Sequence, residues 1–72
     1  MVVRDADTAR ELVAAWVAAR APSSLVAMFR GFATDQRGIA SLCGQYGRHS
    51  EAAGHRAAAG VLDVAAAQAE GG

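Results

Sequence analysis

The chain has 72 residues, enough for one small domain and too few for two. Thirty-eight of them, 53%, are hydrophobic, yet nineteen of those are alanine, and seven arginines balance seven acids with no lysine present. That composition excludes a disulfide-stapled miniprotein, a polybasic nucleic-acid tail, a highly charged disordered segment and a membrane-spanning chain.

Residues 1–6 carry no period and are expected to fray, as are residues 70–72 at the other end of the single domain. Asp7 or Thr8 can cap a first helix near residues 8–20, because either side chain accepts from an orphan amide. Ala9, Leu12, Val13, Trp16 and Val17 then recur at helical spacing and form one apolar stripe. Pro22 disfavours helical geometry at Ala21, so this helix should stop near Arg20. Trp16 is expected to meet Phe29 or Phe32 across the Pro22 turn.

Ser23-Ser24 offers the next cap. From Leu25 onward, steps of four and three give Leu25, Phe29, Phe32, Gln36, Ile39, Cys43, Tyr46, Ser50, Ala53, Ala57, Gly60, Val64 and Ala67. This is a heptad register held over about six repeats. It leaves Leu62 as an apolar exception on the outer face. The pattern predicts one long helix over residues 24–69, or three helices near 8–20, 24–46 and 50–69 if the chain breaks at Gly44–Gly47. Interior glycines favour the break, each costing about 1 kcal/mol relative to alanine. Those on the seam instead favour close approach of another helix. The expected fold class is all-α: a helical hairpin with a short N-terminal helix and a long heptad-patterned second helix, assembling into a bundle.

Alanine buries little area, and a lone core of this size rarely supplies more than about 3–5 kcal/mol. Self-association, or docking onto a larger protein partner, is therefore the expected source of further stability. The surface expected to serve it is the Ala/Gly seam of Ala53, Gly54, Ala57, Gly60, Val61 and Val64. The expected function is a non-catalytic protein–protein interaction module, a small adaptor, assembly or regulatory subunit.

The alternative is a nucleic-acid reader. Ile39 to Arg56 has the order of a helix-turn-helix, with Ile39 and Leu42 for packing, Cys43 as the small residue and Gly47 as the turn. Arg48, His49, His55 and Arg56 would then decorate its second helix. Against this, the position after the turn glycine is Arg48 instead of an apolar residue. A neutral chain also supplies little of the phosphate attraction that dominates nucleic-acid affinity.

Catalytic and metal chemistry find few anchors. Glu51 and His55 stand four apart on one helix face, but two ligands make an incomplete zinc site. An exposed i,i+4 pair accounts for them as well. Cys43, the one cysteine, sits at a core heptad position and reads as a structural thiol, since His49 points away from it on a straight helix. Phosphate-loop and dinucleotide fingerprints are absent. The expectation is no enzyme, no cofactor and no metal. The longest apolar run, Leu12 to Ala19, is far short of the ~20 residues a membrane span needs. The first residues also lack the charged-then-apolar order of a signal peptide, which predicts a cytoplasmic protein. The bias to Ala, Arg and Gly without Lys or Asn is that of a GC-rich bacterial genome.

Overall fold

A computed structural model describes residues 2–71, and it is all-helical. Helix α1 runs Ala6–Ala19, α2 Pro22–Gln45 and α3 His49–Gly71. At about 1.5 Å per residue these are roughly 21, 36 and 35 Å long. The two expected frayed ends are shorter than the sequence suggests, because α1 begins at Ala6 and α3 continues to Gly71; Met1 and Gly72 lie outside the described residues.

The start of α1 is set by Asp5, two residues before the earlier of the two expected caps. Its carboxylate accepts from the Thr8 amide at 2.9 Å. Thr8 Oγ1 accepts in return from the amides of Asp5 at 3.1 Å and Arg4 at 2.9 Å. This reciprocal capping box satisfies donors that either residue alone would leave free. The helix ends where expected, with Arg20 and Ala21 extended ahead of Pro22. Pro22 is the first residue of α2, where its missing amide costs nothing. The cap is therefore Ala21 and not Ser23 or Ser24, and the Ser24 hydroxyl donates to the Ala21 carbonyl at 2.8 Å.

The chain breaks at Tyr46-Gly47-Arg48. Arg48 N–H donates to the Cys43 carbonyl at 2.9 Å and Gly47 N–H to the Gly44 carbonyl at 3.2 Å. That is a Schellman turn, and it requires the positive φ that Gly47 adopts, +73°. The three-helix arrangement is thus the one formed.

Helices α2 and α3 pack antiparallel. Arg30 pairs with Glu70 and Arg37 with Asp63 along one flank. On the other flank His55 Nδ1 donates to Gln36 Oε1 at 2.6 Å, giving a partner to a residue that is only 8% exposed. Helix α1 lies mainly on α3 and runs parallel to it, from Arg4 packed on Gly54 to Val17, which lines an open groove with Val64. The segment leading into α1 reaches the first turns of α3, where Arg4 and Asp5 share a depression with Ser50, Glu51 and His55.

The core sits where all three helices meet. Leu25, Phe29 and Ala33 of α2 close on Ala58, Ala59, Leu62, Ala65 and Ala66 of α3 and on Ala9 of α1. Trp16 meets Phe32, as expected, with ring centroids 6.2 Å apart and a 60° tilt, while the Arg20 guanidinium lies 4.6 Å from the Trp16 ring centre. The single register carried through both long helices does not hold. In α2 the buried row is Leu25, Phe29, Ala33, Gln36 and Ala40, leaving Ile39 and Tyr46 exposed. In α3 the buried row is Ala52, Ala58, Ala59, Leu62, Ala65 and Ala66. Leu62, expected outside, is fully buried. The Schellman turn resets the helical phase, and hiding Leu62, worth about 1.5–3 kcal/mol, outweighs hiding any alanine or glycine of the seam.

Candidate interaction surface

Because Leu62 faces inward, the expected Ala/Gly seam lies on the opposite side of α3. Ala53, Ala57, Gly60, Val64 and Ala67 are all exposed. Where α1 runs beside this face, an open groove of about 580 Å³ forms. Val13 and Val17 of α1 and Gly60, Val61, Val64 and Ala65 of α3 line it, with Arg10 and Gln68 at its rims. A smaller depression of about 240 Å³ continues it toward Pro22 and Leu25. Val17 and Val64 are 56% and 59% exposed, so the groove presents two bare branched side chains to solvent. Between Ala57 and Ala67 the only polar side chain is Asp63, and Arg37 holds it on the α2 flank.

The six expected partner-binding residues therefore separate. Gly60, Val61 and Val64 line the groove, with Val61 half-buried at its base. Ala53 and Ala57 extend the exposed face toward the N-terminus of α3. Gly54 is different: a methyl group there would overlap the Arg4 carbonyl oxygen and lie 3.7 Å from Asp5 Cβ. The close approach expected at Gly54 is real, but the chain's own N-terminal segment makes it.

A second apolar patch, Ile39, Leu42 and Tyr46, lies on the exposed side of α2, with exposures of 40, 54 and 75%. The sequence carries its i, i+3, i+7 spacing, but the heptad register assigns Ile39 and Tyr46 to the core. Cys43 beside them is half-buried, with Sγ 4.0 Å from Glu51 Oε2.

The residues of the nucleic-acid alternative are not brought to one face for a groove. Arg48 sits in the turn and pairs with Glu51 at 3.6 Å, and His55 turns inward to Gln36. His49 opens α3, and Arg56 lies against Gly44. The two helices are antiparallel, whereas a helix-turn-helix sets its helices at about 90–120°. Glu51 and His55 likewise diverge to different partners. Among the described residues there is no group of three or more His, Cys, Asp or Glu side chains placed to hold a metal, and no helix long and apolar enough to cross a membrane. Comparison with protein-family models, curated proteins and solved structures found no match.

Proposed function

We propose that the chain is a non-catalytic protein–protein interaction module that receives an apolar helix against the outer face of α3 and its groove with α1. The observation that carries this reading is the exposure of Val17 and Val64 over an open apolar groove. A helix apolar on two opposite sides, as α3 is between Ala57 and Ala67, is the pattern of a helix covered on both. The thin core gives the same direction, since covering this face adds burial that the alanine-rich interior cannot supply. The setting we infer is cytoplasmic, where Cys43 remains a free thiol.

A photo-cross-linking residue placed at Val64 in living cells expressing the chain tests the reading, with Asp35 on the exposed side of α2 as the control position. A protein adduct formed from position 64 and not from position 35 is the expected result. No adduct from either position, or equal adducts from both, overturns the assignment of this face.

A further inference from the structure

We infer that the occupant of the α3 face is a second copy of this chain, packed antiparallel about a two-fold axis near Gly60. This rests on the interaction reading above and adds the partner and its orientation. The argument is charge complementarity. His49, Arg56, Asp63 and Glu70 recur every seven residues, so they form one row along α3 beside the exposed apolar face. Arg56 is cationic, His49 can donate a ring N–H, and the last two are acidic. When two such helices pack antiparallel, equivalent rows face each other in reverse. Arg56 of one copy then meets Asp63 of the second, and His49 meets Glu70. Parallel packing would instead set this row against the partner's opposite flank, Val61 and Gln68, and form neither pair.

The apolar residues indicate the same centre. Both cross-pairs have their midpoint within one residue of Gly60. About that point Val64 of one copy falls opposite Ala57 of the other, large against small. Gly60 faces Gly60, where nothing of the chain's own lies within 4 Å of a would-be methyl. On α3 the opposite flank carries Val61 and Gln68 and no charge; the cation at that rim is Arg10 of α1, which pairs with Asp7. Asp63 and Glu70 already pair with Arg37 and Arg30, so the second copy completes a network instead of burying a lone charge. An interface of ordinary size, about 800 Å² per partner, would take close to a fifth of the 4401 Å² surface.

Sedimentation equilibrium of the purified full chain across a wide concentration range is the test, with circular dichroism confirming that each variant is folded. The wild type should be a dimer in reversible exchange with monomer. Gly60→Leu should abolish it while keeping helicity. Arg56→Glu and Asp63→Arg should each weaken self-association about tenfold or more, since like charges then face each other. Mixing those two variants should restore a heterodimer, because both cross-pairs become opposite in charge. A wild type that stays monomeric at every concentration overturns the proposal, and so does a dimer insensitive to all three changes. If Val64 still cross-links a different protein in cells, self-docking alone has failed and the interaction reading stands. If it cross-links nothing, both fail.

Discussion

At Gly54 a hydrogen in place of a methyl group decides how the N-terminus is held. The Arg4 carbonyl packs onto the bare Cα, which brings Asp5 over α3 and lets the capping box start α1 in contact with its neighbour. In an open helix interior, Gly→Ala stabilises by up to about 1 kcal/mol. Gly38 is such a site, exposed with nothing within 4 Å of its would-be methyl. Gly38→Ala should therefore raise the melting temperature and Gly54→Ala should lower it, a difference of sign readable in thermal melts. Equal gains at both sites would show that the Arg4 contact carries no weight. The same segment predicts an acid sensitivity. The Thr8 amide, then the Thr8 hydroxyl, hold the Asp5 carboxyl below its usual range, over a smaller opposing effect of desolvation. A carboxyl whose folded pKa is depressed stabilises fully above its unfolded pKa and loses that contribution as pH falls through the folded value. Asp5→Asn keeps an acceptor without the charge, so the wild type's advantage over it should shrink below about pH 4. An advantage unchanged from neutral to strongly acid pH would remove the link.

At the scale of the helices, what is local in the chain is legible and what depends on phase is not. The Pro22 boundary follows from sterics between adjacent residues, and the Trp16–Phe32 contact follows from a short turn between two apolar stripes. The capping box is also written locally, as Asp5 and Thr8 three apart; the absence of an apolar period before Ala9 hides it. The phase of α2 fails differently. Phe32 and Ala33 are adjacent, and so are Ile39 and Ala40, so either row continues an apolar stripe. The alanine row is the buried one because small side chains let α3 come close, while Phe32 closes the edge against Trp16. In α3 the buried face differs because no single register carries through Gly47. Begun afresh at His49, the helix shows Leu62 with Ala58, Ala59, Ala65 and Ala66 three and four residues to either side, which is its buried face. The exposed Ala/Gly face is then what the inward leucine leaves over.

For the molecule as a whole, the consequence is a core whose large fully buried side chains are Phe29, Leu25 and Leu62, padded by alanine. Helix α3 contributes only one of the three, so Leu62 fastens its inner face to both other helices. Removing a buried leucine to alanine costs about 2–5 kcal/mol, and a lone domain of this size has only about 3–5 kcal/mol in total. Leu62→Ala should therefore lose most of its helical dichroism at room temperature in dilute solution. Val64 is the matched comparison, two residues along the same helix but 59% exposed. Val64→Ala should leave the dilute-solution melt within about 0.5 kcal/mol of wild type, as surface substitutions do. The two apolar sides of α3 are then distinguishable by stability alone: the inner one folds the chain, and the outer one is free to bind. Similar melts for the two variants would mean that α3 does not pack through Leu62, and the outer face would lose its meaning with it.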